Sequence, residues 1–169
     1  KTKELNLVLL FSINIKYQKI FKDFIMASSS LSNQQSQQFM DYLLKGVALP
    51  ALPGSLWLAL FTTTPNLNGV AGVEVSTSGT GYTRVELPRV TGTWTGPTGT
   101  NQEYNNTVEL VFPVPTGNWG TIVSLGIYDG ASNGNLIFIS TIATSKSISV
   151  GDGAPRLTAG SLKVLRAIC

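Results

Sequence analysis

The sequence predicts an all-β protein, an antiparallel β-sandwich of jelly-roll type with one short N-terminal α-helix. The first reason is composition: only 12% of the 169 residues are charged and 17 are glycine, which favours short strands and tight turns. The second is the spacing of apolar segments, which gives roughly eight to ten short strands between turn-forming residues. The third is a strong hairpin pattern at residues 119–142. A chain of this length is expected to form one domain.

The chain is expected to divide into three parts, residues 1–25, 26–54 and 55–169. The first part contains no glycine, proline or alanine, and its five lysines outnumber its two acidic residues. We favour an upstream extension outside the native chain, with Met26 as the true start. An amphipathic accessory helix is a second interpretation. A secretory signal is disfavoured because lysines follow the apolar run where a cleavage site should stand. The apolar run is also too short to span a membrane.

Residues 26–54 predict a helix followed by a linker. Ser32 lies three residues before Gln35, the spacing of a capping box, so the helix should begin there. Phe39 and Leu43 follow at helical spacing, and Gly46 supplies the stop. We expect this apolar stripe to pack against the β-domain of the same chain. Contact with a partner helix or another subunit is the alternative.

The β-domain is expected to begin with a buried central strand at residues 56–61, an uninterrupted apolar run. Two strands should follow, at 73–75 and 82–87. In the second of these, Tyr82, Arg84 and Glu86 alternate with less polar residues and should form one solvent-facing side.

Residues 89–102 are rich in glycine and proline and predict an exposed loop or a weak edge strand. The next strand should occupy 107–112, with Val108, Leu110 and Phe112 directed inward. Short strands are also expected near the end of the chain, at 147–150, 155–159 and 162–165.

The hairpin at 119–142 should form the centre of the sandwich. In its first strand Val123, Leu125 and Ile127 alternate with smaller or polar residues, the pattern of a strand with one face on a core. Residues 136–139 are apolar at consecutive positions, which predicts a second strand covered on both faces. The residues between the two strands are nearly all turn formers.

The net charge of +3 does not indicate a nucleic-acid partner. Residues 1–25 carry the whole excess, since five of the 12 basic and two of the nine acidic residues lie there, which leaves seven of each sign from Met26 onward. A neutral domain offers no basic surface to a polyanion. The single Cys169 excludes an internal disulfide, and the absence of histidine removes the commonest general base and metal ligand.

The inventory of acidic residues predicts no catalytic set, no metal site and no cofactor. Asp41 falls on the predicted helix, and Asp129 and Asp152 stand beside glycine in predicted turns. A glycosidase requires two facing carboxyl groups, for which Glu74 with Glu86 is the only candidate pair, and we disfavour it. The protein is therefore not expected to be an enzyme.

Aromatic residues allow a sharper hypothesis, because an exposed aromatic ring can stack on a sugar. Trp94 lies in the glycine-rich segment 89–102 and is a candidate glycan or partner contact, together with Tyr82 and Tyr104. Core packing is the expectation for Trp57 and Trp119.

From about Ser32 to Leu165 the order of motifs resembles a family of small phage virion proteins labelled tail fibre proteins. The matching pieces after the short helix are LWLALFTTTP at 56–65, VEVSTSGTGYTR at 73–84, a Trp-Gly dipeptide at 119–120, GIYDGASNGNL at 126–136 and GDGAPRLTAGSLKV at 151–164. Residues 1–25 have no counterpart in that pattern, and Ala154-Pro155 departs from the expected entry into the last strands.

The resemblance implies a non-enzymatic structural subunit of a phage or prophage virion, placed in a tail fibre, a baseplate or a head decoration. It also implies synthesis in the host bacterial cytoplasm, association with other virion proteins and a homo-oligomer, expected to be a trimer. Neither nucleic acid nor membrane is expected as a partner. The alternative function is a carbohydrate-binding β-sandwich module that contacts host surface glycans.

Overall fold

The computed structural model describes residues 26–99 and 102–165 and confirms an all-β, sandwich-like fold with one helix in those ranges. The expectations for residues 1–25 and Cys169 lie outside the described residues. The strands and helix run in this order: β1 Met26–Leu31, α1 Asn33–Lys45, β2 Ser55–Thr63, β3 Val73–Glu74, β4 Val85–Pro88, β5 Trp94–Thr98, β6 Glu103–Asn106, β7 Leu110–Val111, β8 Gly120–Tyr128, β9 Leu136–Ile148, β10 Arg156–Leu157 and β11 Lys163–Leu165.

The strands form one large and two small antiparallel sheets. The large sheet has the order β1-β9-β8-β2, and both β3 and β4 pair with the free side of β2. A three-stranded sheet has the order β11-β6-β5, and β10 pairs with β7. The apolar run 56–61 therefore lies in an interior strand, as predicted, because β2 has neighbours on both sides.

The predicted hairpin is confirmed as β8 and β9. The two strands pair from Gly120 with Ile148 to Tyr128 with Leu136. Next to the turn, Tyr128 pairs with Leu136 but Ile127 pairs with Phe138, so Ile137 is an extra residue in β9. Alternation along the strand directs apolar residues to both faces, and the bulge places two successive residues, Ile137 and Phe138, against the same apolar cluster.

Two apolar clusters lie on opposite faces of this hairpin. The main core packs residues of the large sheet, such as Leu58, Leu125 and Ile137, against residues of the smaller sheets, such as Leu110 and Val164. The second cluster is smaller and comprises Ala59, Phe61, Tyr128, Leu136 and Ile139. A Cβ on Gly126 would come within 2.8 Å of the Phe61 ring, so this glycine makes room for the second cluster.

Strand β1 was not predicted by the sequence pattern. It adds to the edge of the large sheet beside β9, pairing Leu31 with Phe138. The Ser29 hydroxyl donates to the Leu165 carbonyl oxygen over 3.0 Å and accepts from the Leu165 N–H over 2.7 Å. A side chain therefore connects the large sheet to β11 of the three-stranded sheet. The segment MASSSL lacks the alternation that would have revealed a strand.

Helix α1 begins where the sequence predicted. The Ser32 hydroxyl accepts from the Gln35 N–H over 3.2 Å, and Gly46 ends the helix with φ of 67°. No residue of the helix is buried. The expectation that Phe39 and Leu43 pack on the β-domain is therefore wrong, because both side chains are at least half exposed.

Three predicted strand patterns need correction. The strand expected from Tyr82 begins only at Val85 in β4, and Tyr82 lies in the core instead of on a polar face. In the segment 107–112 only Leu110–Val111 forms a strand, and Val108, expected inward, is exposed. In β8 the pairing with β9 is irregular between Ile122 and Ser124, so Ile122 is fully buried and Val123 only partly.

Candidate functional site

Tyr82 is buried in an aromatic cluster and cannot offer its ring to a sugar. Only 1% of its surface is exposed, and its ring lies edge-on to Trp119 at a centroid distance of 5.2 Å and stacks on Phe112 at 6.2 Å. The Trp119 indole N–H donates to the Thr80 carbonyl oxygen over 2.8 Å, which fixes the cluster to the segment before Tyr82. The core position expected for Trp119 is confirmed.

The other two candidate contacts differ in how far solvent reaches them. Trp94 opens β5 opposite Asn106 and is half-buried, with its ring packed against the main core. Tyr104 on β6 is 42% exposed. Trp57, expected in the core, is also only partly buried. Of the three residues singled out, Tyr104 is the most exposed.

Tyr104 borders a groove of about 470 Å³ between the two main sheets. The groove combines apolar side chains with serine hydroxyls, and its lining residues are Ser29, Ser30, Leu31, Ser36, Tyr104, Phe138, Val164 and Leu165. Half of these residues come from β1 and the start of α1, and the rest come from β6, β9 and β11. Because strand β1 was missed in the sequence, this groove was missed with it.

A second concave region surrounds Arg84, which precedes β4 and reaches towards the β8–β9 turn. Its guanidinium makes two hydrogen bonds to Glu74 in β3, from Nε over 2.9 Å and from Nη2 over 2.8 Å. Nη1 donates over 2.7 Å to each of the carbonyl oxygens of Gly130 and Asn133. Four of the five N–H donors of an arginine are thereby used. The guanidinium also lies 3.9 Å from the centre of the Tyr128 ring.

The ionisation of this cluster follows from its contacts. Burial alone would lower the pKa of Arg84, but its hydrogen bonds with Glu74 and the negative charge of Glu74 outweigh burial and raise that pKa above its ordinary value. Burial raises the pKa of Tyr82, and the charge of Glu74 raises it further. Burial likewise raises the pKa of Tyr128, although Arg84 opposes the shift. Arg84 therefore stays cationic and both phenols stay neutral near pH 7.

The cluster acts as a clamp that fixes the β8–β9 turn to β3. The Tyr82 hydroxyl donates to Glu74 Oε1 over 3.0 Å and accepts from the Leu60 N–H over 2.9 Å, so the clamp also reaches the core strand β2. Within the turn, Asp129 accepts from the Asn135 N–H over 2.5 Å, which confirms its role as a turn residue. The sequence signal for the clamp was the pair of motifs VEVSTSGTGYTR and GIYDGASNGNL, whose contact only the fold creates.

Removing the guanidinium should destabilise the protein. In Arg84→Met, Glu74 loses its positively charged partner and the two turn carbonyls lose their donor, and we expect the free energy of unfolding to fall by about 2–4 kcal/mol. Arg84→Lys should recover only part of this, since an ammonium cannot reproduce the planar fork. Urea denaturation measures both changes.

The matched control is Arg156→Met. Arg156 pairs with Glu109 over 3.4 Å in an exposed position, so its loss should change stability by less than about 1 kcal/mol. Equal losses for the two methionine variants would contradict the role assigned to Arg84.

Tyr82 should also make stability sensitive to alkaline pH. An unfolded tyrosine ionises near about pH 10, whereas folding raises the pKa of Tyr82 above that value. The contribution of the buried neutral phenol is thus complete below about pH 10 and is lost as the pH rises further. The thermal midpoint should fall less steeply above about pH 10 in Tyr82→Phe than in the wild type. Parallel pH profiles would show that Tyr82 does not contribute.

Every acidic side chain from Asp41 to Asp152 has a structural partner. The pairs are Asp41 with Lys45, Glu74 with Arg84, Glu86 with Ser55, Glu103 with Lys163, Glu109 with Arg156, Asp129 with Asn135 and Asp152 with the Ser149 N–H. The hydrogen bond from Lys163, more than its charge, lowers the pKa of Glu103.

Glu74 and Glu86 do not form the facing pair that a glycosidase would need. They lie opposite Phe61 and Trp57 along β2, four residues or about 13 Å apart, and point to different partners.

Residues 26–99 and 102–165 contain no cluster of three or more His, Cys, Asp or Glu side chains that could hold a metal ion. Within the same ranges no helix has the length and apolar character required to cross a membrane.

Comparison with known proteins gives one family. The family model described as Gp80, podophage GP4 fiber I protein gp80, matches residues 30–165. The match covers 136 of the 169 residues and spans the helix, the Arg84 clamp and all the residues of the Tyr104 groove except Ser29. A search of curated proteins returns no significant match.

Proposed function

The chain belongs to the family of the podophage GP4 fiber I protein gp80, a family of phage fibre proteins, and on this premise we propose that it is a non-enzymatic subunit of a virion fibre. It acts through assembly and surface contacts with other virion proteins. We propose further that it assembles as a homotrimer and is made in the cytoplasm of the bacterial host. A baseplate or head-decoration position is the competing placement.

The family match carries this proposal, because it extends over nearly all of the described fold. The state of the carboxyl groups supports it. A general acid or a nucleophile must be free to reach a substrate, whereas the seven acidic residues from Asp41 onward are each engaged in an ion pair, a strand contact or a turn. A clamped turn and a side-chain link between sheets favour a rigid subunit.

Immunogold labelling of purified virions tests the proposal. Antibodies raised against the purified protein should place gold particles on fibres at the tail. Labelling of the capsid surface would support a head decoration in place of a fibre. An antibody against a capsid protein serves as the positive control. If that antibody labels the virions and the antibody against this protein does not, the proposal is overturned.

A glycan contact at the Tyr104 groove is a second proposal, favoured by one observation. The exposed Tyr104 ring lines the same groove as Ser30 and Ser36, and sugars are bound by aromatic rings together with polar hydrogen-bonding groups. Trp94 is the other aromatic candidate, and its partly buried ring leaves less surface for stacking.

A glycan array with bacterial surface polysaccharides separates these residues. Binding that is lost in Tyr104→Ala and retained in Trp94→Ala would support the groove. The control is Tyr42→Ala, since Tyr42 is 48% exposed and lies on α1 outside the groove. Absence of any binding by the wild type would remove the proposal.

A further inference from the structure

Helix α1 is hydrogen-bonded to the β-domain at its first residue, Asn33, but it buries no apolar face on that domain. None of its 13 residues is buried. A peptide helix of this length is only marginally stable in water, and most helices in proteins gain their stability by burying an apolar face. The apolar face of α1 therefore calls for a partner outside the described fold of one chain.

The exposed surface is large and apolar. Seven large side chains between residues 39 and 49 are 48% to 74% exposed: Phe39, Met40, Tyr42, Leu43, Leu44, Val47 and Leu49. Within the helix, Phe39, Met40, Leu43 and Leu44 fall inside an arc of about 140° at 100° per residue. They form a continuous stripe, which we call the α1 stripe.

Charge on the helix identifies the kind of partner. Its only charged residues are Asp41 and Lys45, which pair with each other over 2.7 Å on the side away from the α1 stripe. The remaining polar residues are asparagine, glutamine and serine. A strongly charged partner would find no complementary charge here, whereas a second copy of the helix could approach without repulsion.

We propose that copies of this chain associate through the α1 stripe, with their helices parallel around a common axis. The parallel direction follows from the position of the apolar residues. The first half of the helix is NQQSQQ, and the apolar side chains begin at Phe39. Parallel helices place Leu43 against Leu43, whereas antiparallel helices in full overlap would set apolar residues against glutamines. Closed rotational symmetry is the usual arrangement of identical subunits.

The available area is sufficient for this association. With roughly 150 Å² for a large side chain, the four residues of the α1 stripe, which are 48% to 74% exposed, offer on the order of 350 Å² per copy. Two copies would bury only about 700 Å², whereas three copies around one axis would bury about 1,000 Å², the least that is expected of a specific interface. The inference rests on the proposed fibre function and adds the surface that carries the assembly.

The first experiment measures oligomeric state by light scattering after size-exclusion chromatography of the full chain. The wild type should have a mass at least twice the 18.0 kDa of one chain, and the double variant Phe39→Gln with Leu43→Gln should be a monomer. Glutamine has nearly the helix propensity of leucine, so the second change removes the apolar contact more than it removes the helix. The matched control is Val150→Gln, an exposed apolar residue of the β-domain, which should leave the mass unchanged.

The second experiment tests the direction of the helices by disulfide formation in a Cys169→Ser background. Phe39→Cys and Leu43→Cys should each cross-link two copies rapidly under mild oxidation, because parallel helices bring both positions to their own counterparts, whereas antiparallel helices can do so at only one position. Lys45→Cys on the opposite side of the helix should cross-link at a much lower rate. Equal rates, a monomeric wild type, or an oligomer that survives the double glutamine substitution would each overturn the inference.

Failure of this inference is distinguishable from failure of the proposed function. Virions labelled by immunogold, together with a monomeric purified protein, would retain the fibre and reject the helix interface. An oligomer that depends on the α1 stripe, together with unlabelled virions, would retain the helix interface and reject the fibre function.

Discussion

The Leu125→Asp variant is expected to fail to fold. Leu125 lies in β8 between β2 and β9, faces the main core and is 1% exposed. An aspartate there would place an unpaired carboxylate among apolar side chains, at a cost of several kcal/mol, which is comparable with the whole stability of a small domain, about 5–15 kcal/mol. Far-UV circular dichroism and the soluble fraction after expression measure the outcome.

The control introduces the same charge at an exposed position. Val150→Asp, in the turn after β9, should remain soluble and folded because Val150 is 61% exposed. Leu125→Ala should fold with a stability lower by about 2–5 kcal/mol, since it leaves a cavity but no charge. A folded Leu125→Asp protein with native thermal stability would show that β8 is not the central strand.

The Asn106→Leu variant should lose stability by about 3 kcal/mol or more. The Asn106 side chain is 1% exposed and makes three hydrogen bonds. Its Nδ2 donates to the carbonyl oxygens of Val108 over 2.7 Å and Thr158 over 3.0 Å, and its Oδ1 accepts from the Leu162 N–H over 2.9 Å. Leucine is similar in size but leaves the Leu162 N–H and the Val108 carbonyl oxygen without this partner, and each orphaned group costs roughly 1–3 kcal/mol. The Thr158 carbonyl oxygen keeps the Ser161 N–H and hydroxyl as donors.

The neighbouring residue provides a matched control for this substitution. Asn105 has a buried side-chain oxygen with no hydrogen-bond donor among the described residues, so Asn105→Leu removes little and should cost less than about 1 kcal/mol. Chemical denaturation measures the free energy of unfolding of the two variants, and the two values are comparable if the m-values are equal. If Asn105→Leu were the more damaging substitution, the role of Asn106 as the link between β6 and the segment before β11 would be refuted.

The residues that stabilise the fold differ from those that form its accessible surfaces. The side chains of Arg84 and Asn106 both form hydrogen bonds with backbone atoms of segments that are distant in sequence. The side chains of the α1 stripe and the Tyr104 ring are exposed in the described fold. Contacts with other molecules are therefore proposed for these two surfaces.

Local sequence determined the elements whose signal is contained in a short window. The alternating apolar residues of β8, the turn formers around Asp129 and the cap formed by Ser32 and Gly46 predicted a hairpin and a helix that the structure confirms. Each of these signals depends on the chemistry of neighbouring residues, such as a side-chain oxygen beside an orphan N–H. The motif order also predicted the phage fibre family.

Only the tertiary structure decided where those elements meet. Strand β1 has no apolar alternation and becomes a strand because β9 offers it a partner edge. Tyr82 appears outward by alternation, yet its ring enters the core where Trp119 and Phe112 leave space for it. The α1 stripe has the spacing of a helix that packs on its own domain, and it remains exposed. In each case the outcome depends on contacts with residues that are distant in sequence. A periodic pattern predicts that a surface is apolar, but it does not predict which residues cover that surface.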